Sequence, residues 1–376
     1  MGFFLIALSI WTGINVYIGI RGLQAFGSFI PPGYVKVYWV VFIFMASSFL
    51  LVRIFESTSN SILRVGFEWV SSYTMAVIFY ALLILVLIDI VRLLDHWLGF
   101  IPMAIKQSPA GVGLAVFCLL VGLLSYGTWN AWHPVFREYE INIPKNTNGS
   151  QELHAIMISD LHLGNIVNHS RLTGIIEQIN QRNPDVIFLA GDVIDDNIRP
   201  FIEQKMAESF RELKPRLGIY MVLGNHDGHT ANETVAYLKE AGITVLRDQY
   251  QLVDDRFYLV GRENRGHGIS SAERLELTDI LVGINHRLPI IMMDHNPSKL
   301  EEAQINGIDM QLSGHTHQGQ LFPLNQVTQR MYEIDWGYLR KENLQVVVST
   351  GVGTWGPPIR IGNTPEIVDL HITFNK

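Results

Sequence analysis

The sequence "LHAIMISDLHLG" at residues 153–164 joins an apolar run, typical of a buried β-strand, to a short polar segment that contains Asp160. Further β-rich runs follow: "VIFLA" at 186–190, "GIYMVLG" at 218–224, "IIMMD" at 290–294, "IDMQLSG" at 308–314 and "LQVVVST" at 344–350. Helical patterns alternate with these runs, as in the apolar spacing of Leu172, Ile175, Ile176 and Ile179. The alternation predicts an α/β domain built on central strands.

Residue types that bind metal ions follow these predicted strands, at the point where each strand ends. They are Asp160 and His162; Asp192; Asn225, His226 and Asp227; His295; and His315 and His317. Because α/β folds place their ligand sites beyond the carboxyl ends of strands, we expect these side chains to share one site. Glycines precede Asp192, Asn225 and His315, and glycine suits sharp turns where the backbone runs close to a ligand.

The mixture of imidazole, carboxylate and amide groups is typical of sites for divalent ions such as Mn, Fe, Co or Zn. Two ions about 3.5 to 4 Å apart need a shared carboxylate, and they can bind both the attacking and the leaving oxygen of a phosphoryl displacement. Taken singly, a histidine is more often a structural residue, Asp192 a helix or turn cap, and Asn225 a turn residue. The recurrence of five clusters in one setting favours a dinuclear metal site.

The first third of the chain has a different composition. Four apolar stretches occupy residues 3–20, 37–52, 73–91 and 112–129. Each approaches the roughly 20 residues that a helix needs to cross a bilayer, so residues 1–133 are predicted to hold about four transmembrane helices. A buried soluble bundle is the alternative, and the first stretch alone also allows a cleavable signal peptide.

A polar segment at 134–151, which includes "PKNTNGS", is predicted to link these helices to a domain at 152–376. With four spans, both ends of the chain lie on the same side of the membrane. Basic residues are divided evenly between the two sides, so the charge rule does not decide the orientation. Because Arg21 directly follows the first span and no basic residue precedes it, we expect a multi-pass cell-membrane protein whose carboxy-terminal domain faces away from the cytoplasm.

Charge also separates the two parts of the chain. Residues 1–130 contain six basic and four acidic side chains, whereas the remainder contains 22 basic and 31 acidic ones and has a net charge of −9. A negative domain does not attract polyanions, so nucleic acid is not an expected partner. Cys118 is the single cysteine of the sequence and cannot form an intrachain disulfide.

The order Asp-x-His, Gly-Asp, Gly-Asn-His-Asp, His, Gly-His-x-His resembles the calcineurin-like metallophosphoesterases, and in particular their membrane-anchored bacterial branch, over residues 153–374. The resemblance implies a four-layer α/β/β/α sandwich in which two sheets are flanked by helices. It also implies two ions of Mn, Fe or Zn, one held by Asp160, His162, Asp192 and His317, and one held by Asp192, Asn225, His295 and His315. Asp192 would bridge the two ions.

By the same resemblance, His226 touches the phosphate and protonates the leaving oxygen, and Asp227 orients His226. The chain would then be a metal-dependent hydrolase that cleaves phosphomonoester, phosphodiester or pyrophosphate bonds with a metal-bound hydroxide. A membrane anchor favours a lipid-linked phosphate ester or a nucleotide-linked lipid precursor as substrate. The alternatives are a non-catalytic membrane scaffold that retains the fold, and a transporter formed by the spans.

Several residues allow two interpretations. Asp195 either supports a metal ligand from behind or caps a helix. The loop "STGVGTWGPPIRIG" at 349–362 either shapes the substrate mouth, with Arg360 meeting phosphate charge, or is a structural turn. His229 and His267 lie in loops that can line the mouth. The remaining histidines of the domain are interpreted as surface or hydrogen-bonded residues: His154, His169, His286 and His371.

Overall fold

The computed structural model describes residues 2–55, 61–264 and 274–375. The chain forms two compact units. One consists of Met1–Thr128 with Gly356–Pro358, and the other of Trp129–Trp355 with Ile359–Lys376.

Helices make up the amino-terminal region. They are α1 (Gly2–Phe26), α2 (Val35–Ala46), α3 (Ser48–Phe55), α4 (Ser61–Leu98), α5 (Met103–Lys106) and α6 (Pro109–Ala131). Within the described residues, three stretches are long and apolar enough to cross a membrane: Leu5–Phe29, Ile62–Leu98 and Pro109–Ala131. Most of their apolar surface is exposed, which is the surface expected of helices that contact lipid.

The second predicted span, 37–52, does not form one long helix. It is divided between α2 and α3 at Ser47, whose backbone (φ −94°, ψ 3°) departs from helical geometry. The two helices have 12 and 8 residues, so neither reaches the roughly 20 residues that a spanning helix needs. The prediction of four transmembrane helices is therefore not confirmed, and the described residues contain three candidates.

Strands and helices alternate in the second unit. In spatial order, sheet 1 contains β1 (Val135–Asn146), β12 (Glu366–Asn375), β2 (Glu152–Ile158), β3 (Val186–Ala190), β4 (Ile219–Val222) and β5 (Ile243–Val245). Sheet 2 contains β10 (Gly337–Lys341), β11 (Leu344–Val348), β9 (Met310–Ser313), β8 (Ile290–Met293), β7 (Phe257–Gly261) and β6 (Gln249–Val253). The helices are α7 (His169–Arg182), α8 (Arg199–Glu203), α9 (Met206–Phe210), α10 (Ala231–Glu240), α11 (Leu277–Ile280), α12 (Leu300–Ile305) and α13 (Asn325–Met331). The predicted α/β class is confirmed.

Strand β1 occupies most of the segment that was predicted to be a linker. It pairs in parallel with β12, beginning with Val135 opposite Glu366. Its side chains Ile141 and Ile143 are buried in the core, which explains why this segment is ordered against the sheet. Segment 134–151 is therefore a strand followed by a short turn, because "PKNTNGS" covers only the last residues of β1 and the turn after it.

Apolar side chains of both sheets form one buried cluster, with Phe188 from sheet 1 and Leu259 from sheet 2 among its members. A second cluster joins sheet 1 to α7 and α10, and a third joins sheet 2 to α11 and α12. In α7 the predicted apolar face is confirmed, since Leu172, Ile175, Ile176 and Ile179 are all buried. Strands β2, β3 and β4 are parallel neighbours, as are β7, β8 and β9, so the carboxyl ends of each set meet at one edge of its sheet.

Candidate metal centre

The loops that follow the parallel strands hold the predicted ligands in an unusual backbone conformation. Positive φ angles occur at Asp160 (52°), His162 (48°), Asp192 (51°), His315 (74°) and His317 (47°). Left-handed geometry costs a non-glycine residue roughly 1–2 kcal/mol. Such residues persist where the surrounding structure holds them, and they cluster at functional sites. All five of these residues lie in the loops that carry the predicted ligands.

Asp160, His162 and His317 form one group of possible metal ligands, and all three are buried. The Nε2 atoms of His162 and His317 lie 3.1 Å apart, and His317 Nε2 lies 3.4 Å from Asp160 Oδ1. Only one hydrogen atom fits between two ring nitrogens at that distance, so at least one of them presents a lone pair. The Asp160 carboxylate is held in place by the backbone N–H of His315 at 3.0 Å.

Asp192, His295 and His315 form a second group. His295 Nε2 lies 3.1 Å from Asp192 Oδ2, and His295 Nδ1 lies 2.8 Å from the carbonyl oxygen of Ala190. That carbonyl can only accept, so Nδ1 carries the hydrogen and Nε2 is directed at the carboxylate. Asn225 joins this group through its Oδ1, which lies 2.7 Å from His315 Nδ1. The second predicted set of ligands is thus brought together.

The carboxylate of Asp192 lies between the two groups. Its Oδ2 is 3.1 Å from His295 Nε2 and 3.8 Å from His162 Nε2. Its Oδ1 accepts a 2.8 Å hydrogen bond from the backbone N–H of His226. Among the described residues, His295 Nε2 is buried, and its 3.1 Å contact with Asp192 Oδ2 does not have hydrogen-bond geometry. Buried carboxylates and unsatisfied imidazole nitrogens that converge in this way fit divalent ions of the Mn, Fe or Zn type.

The electrostatics of the site also fit bound cations. Burial alone would lower the pKa of His295, but the charges of Asp192 and Asp160 raise it to about 10. Burial opposes ionisation of Asp192, yet the charge of His295 lowers the pKa of Asp192 below its usual value. A proton on His295 therefore provides the positive charge that these carboxylates attract. A metal ion can replace that proton, because metal binding to imidazole releases it.

Two further histidines of the groups, His315 and His317, favour the neutral form that binds metals. Burial lowers the pKa of His315 to about 4, and the nearby charge of His295 acts in the same direction. Burial also lowers the pKa of His317 well below its usual value, aided by the charges of His162 and Arg360. Neutral imidazole is the form that coordinates a metal.

Two glycines allow the loops to approach these carboxylates. A Cβ atom at Gly224 would lie 2.0 Å from Asp192 Oδ1, and one at Gly314 would lie 2.2 Å from Asp160 Oδ2. Both distances are far inside contact range, so no side chain fits at either position. These are the glycines that precede Asn225 and His315, where the sequence predicts close approach to a ligand.

His226 lies beside the two groups and forms a third cluster of possible metal ligands with His162 and Asp195. Its ring centroid is 4.8 Å from that of His162, and its Nδ1 is 2.9 Å from Asp196 Oδ1. Burial alone would lower the pKa of His226, but the hydrogen bond to Asp196 and the nearby acidic charges raise it to about 9. Asp195 Oδ1 lies 3.4 Å from His162 Nδ1 and 3.8 Å from His226 Nδ1. The first contact agrees with the interpretation that Asp195 orients the ring of His162, whose Nε2 faces the site.

The expectation that Asp227 orients His226 is corrected by these contacts. The Asp227 carboxylate is fully buried and accepts hydrogen bonds from the backbone N–H groups of Gly224, Ile194 and Val193, at 2.8, 2.9 and 3.3 Å. It therefore holds together the loops after β3 and β4. The partner of His226 is Asp196, which sequence reasoning missed although it directly follows Asp195 in the chain.

The side chain of Arg360 is buried in the domain and does not line the substrate site. Its side chain is fully buried, and its Nη2 donates to the carbonyl oxygens of Thr350 and Gly353, both at 2.8 Å. Burial lowers the pKa of Arg360 to about 9. The interpretation of this residue as a phosphate ligand is therefore wrong.

Trp355, from the same loop, does border the site. Its side chain is 53% exposed, and its ring lies 5.7 Å from that of His226. Its backbone is fixed by two hydrogen bonds with the side chain of Gln320, at 2.9 and 2.8 Å. His267 lies outside the described residues, as does the side chain of His229.

Comparison with known proteins identifies relatives of this arrangement. Residues 153–319 match the family model described as calcineurin-like phosphoesterase. A "Transmembrane protein with metallophosphoesterase domain" from Danio rerio is 33% identical over 66% of this chain and 60% of its own length. An uncharacterized metallophosphoesterase from Aquifex aeolicus is 30% identical over 62% of this chain and 90% of its own length. The chain thus spans less than two thirds of the Danio rerio protein and most of the Aquifex aeolicus protein.

Proposed function

The chain belongs to the calcineurin-like phosphoesterase family and is a metallophosphoesterase, and from this premise we propose that it hydrolyses phosphomonoester, phosphodiester or pyrophosphate bonds with two metal ions. The observation that carries the proposal is the position of the Asp192 carboxylate between two buried groups of metal-binding residues. A single oxygen within 3.8 Å of one imidazole of each group is the arrangement that a bridging carboxylate requires.

In this proposal one ion is held by Asp160, His162, Asp192 and His317, and the other by Asp192, Asn225, His295 and His315. Bound ions of this kind lower the pKa of water towards neutrality and neutralise charge on the phosphate. The chain contributes the burial of the ligands and the hydrogen bonds that orient them. The backbone N–H groups of His315 and His226, bonded to Asp160 and Asp192, keep both carboxylates in a fixed orientation.

His226 is the proposed general acid. Its Nδ1 donates to Asp196, so Nε2 is free to donate a proton to the leaving oxygen of the substrate. A pKa of about 9 keeps the imidazole protonated at neutral pH, which is the form that a general acid requires. Asp196 acts through His226 and is a positioning residue.

The membrane region supports a substrate at the bilayer. Three apolar helices, together with a relative named as a transmembrane protein, support a multi-pass membrane protein. The exposed ring of Trp355 supplies an apolar surface beside His226, where the leaving group is expected. We therefore propose a phosphate ester with an apolar or lipid-linked leaving group as the substrate.

Three buried apolar clusters support a four-layer α/β/β/α arrangement of the domain. One lies between the two sheets, and the other two lie between each sheet and its helices.

The test compares aryl phosphodiesters with and without a long acyl chain, using the full chain in detergent with Mn²⁺. Activity should be abolished by a chelator and restored by the metal, and the acylated substrate should have the lower KM. Trp355→Ala should raise the KM of the acylated substrate by about tenfold, the loss expected for one apolar contact surface. Tyr250→Ala, which removes another partly exposed aromatic ring, is the control.

Two outcomes would contradict the proposal at different levels. Equal KM values for the two substrates, unchanged by Trp355→Ala, would exclude the lipid-linked substrate. Metal binding without hydrolysis of any phosphate ester or pyrophosphate would exclude the enzyme and favour the scaffold.

A further inference from the structure

A second concentration of metal-binding side chains lies on sheet 1, away from the centre described above. His154 on β2 is paired directly opposite His371 on β12 in an antiparallel register. Asp369 lies two residues before His371 on β12 and so points to the same face of the sheet. His154 also lies six residues before Asp160, which at the rise of an extended strand places it about 20 Å from the catalytic ligands.

The two imidazoles converge on one carboxylate oxygen. His154 Nε2 lies 2.7 Å from Asp369 Oδ1, and His371 Nε2 lies 3.5 Å from the same atom. The two rings are stacked, with centroids 4.8 Å apart and planes within 7°. Because a metal ion lies in the plane of each imidazole that binds it, the half-exposed His371 ring must rotate out of this parallel arrangement to share an ion with His154.

These distances are near those of a tetrahedral zinc site. With Zn–N and Zn–O bonds of about 2.0 to 2.2 Å, neighbouring ligand atoms are about 3.3 to 3.5 Å apart. The His371 to Asp369 distance already has this value, and the His154 to Asp369 distance must lengthen by about 0.6 Å. Because the side chains of His154 and His371 are 24% and 50% exposed, the site is open to an ion and to water.

The surroundings of Asp369 suit a carboxylate ligand. Its Oδ2 lies 3.3 Å from Arg182 Nη1, which in turn is 2.8 Å from Glu138. This contact fixes the carboxylate so that Oδ1 faces the histidines, as groups behind a metal ligand commonly do. Glu140 is in register with His371 on the neighbouring strand β1, so a fourth ligand is available from its carboxylate or from water.

We propose that His154, Asp369 and His371 form an additional zinc site that joins strands β2 and β12, independent of the catalytic metals. Two neutral imidazoles and one carboxylate are a ligand set that zinc accepts, and a water or Glu140 completes the tetrahedron. An ion at this position cross-links two neighbouring strands of sheet 1, so it stabilises the folded domain.

The experiment measures zinc bound to the full chain in detergent by mass spectrometry after equilibration and dialysis. His371→Ala should remove about one zinc ion per chain relative to the unchanged protein, since it deletes one of three ligands. It should also abolish the rise in melting temperature that zinc gives once the catalytic ions are in place. His286→Ala, at an exposed histidine outside every cluster of the described chain, is the control and should change neither value.

Manganese-supported hydrolysis of an aryl phosphate reports whether the variant folds. His371 is half-exposed, so the variant should retain this activity within about twofold, as expected for a surface substitution. Zinc content equal in His371→Ala, His286→Ala and the unchanged protein would overturn the proposal. If His371→Ala disturbs folding, His154→Gln provides the same comparison, and an undiminished zinc content there would also overturn it.

Discussion

The Nδ1 atom of His226 lies 2.9 Å from Oδ1 of Asp196, a residue 30 positions earlier in the chain. The two residues belong to different loops, one after β3 and one after β4, which are joined below this contact by the carboxylate of Asp227. The pair fixes both the orientation and the protonation of the imidazole.

Replacing Asp196 tests the protonation of His226. Burial would lower the pKa of His226, but the hydrogen bond to Asp196 and the nearby acidic charges raise it above its usual 6.5, so the acid form is present at neutral pH and is lost at higher pH. In Asp196→Asn the partner charge is removed, the pKa falls, and the decline of kcat on the alkaline side should move to lower pH. The measurement is the pH profile of kcat, with Asp254→Asn as an exposed control. An alkaline limb that does not move would contradict the assignment.

His226→Ala should lower kcat by roughly 10²- to 10⁴-fold, the usual contribution of general acid catalysis. The loss should be smaller for a nitrophenolate leaving group, which needs no proton, than for an alkoxide. Metal content should remain unchanged, since His226 belongs to neither the Asp160 group nor the Asp192 group, which are proposed to hold the two ions. Rates measured across a leaving-group series provide the check, with His169→Ala as a surface control. A loss that is equal for all leaving groups would exclude the acid role.

Asp227→Ala should destabilise the domain. The substitution leaves three buried backbone N–H groups without their acceptor, and each such group costs about 1–3 kcal/mol. The melting temperature should fall, and Asp227→Asn, which keeps one acceptor oxygen, should lose less. If Asp227→Ala keeps its melting temperature and loses only kcat, then Asp227 acts directly on His226.

Gly224→Ala should weaken metal binding without removing any ligand. The added Cβ would lie 2.0 Å from Asp192 Oδ1 and must displace the proposed bridging carboxylate. Disturbing the support of a metal ligand commonly lowers metal affinity roughly 10- to 100-fold. The affinity is measured by competition with a chelator. Gly174→Ala, on a helix where an added Cβ meets nothing within 4 Å, is the matched control. Equal affinities in the two variants would contradict the role assigned to Asp192.

The sequence indicates which candidate ligands the fold brings together, because each lies in a short motif after a strand. Parallel strands then bring Asp160, Asp192 and Asn225 to one edge of sheet 1 whatever the details of the loops. The partner of His226 is not determined in this way. Asp195, Asp196 and Asp227 are all carboxylates that follow predicted strands, so each is a candidate partner from the sequence alone. Only the folding of two separate loops brings Asp196 into hydrogen-bond contact with His226.

Long-range strand pairing and burial explain other differences between the structure and what the sequence predicts. The polar end of the segment containing β1 predicts a linker, because the strand's pairing partner β12 lies more than two hundred residues later and leaves no local signal. The guanidinium of Arg360 binds backbone carbonyls, and a sequence cannot distinguish that role from phosphate binding. The interruption at Ser47 occurs within an apolar run that contains neither proline nor glycine.

The central claim is tested most directly by anomalous scattering from crystals of the full chain soaked with Mn²⁺. The account predicts two peaks about 3.5 to 4 Å apart, with the carboxylate of Asp192 between them. A single peak at this site, or two peaks that share no ligand at Asp192, would contradict it.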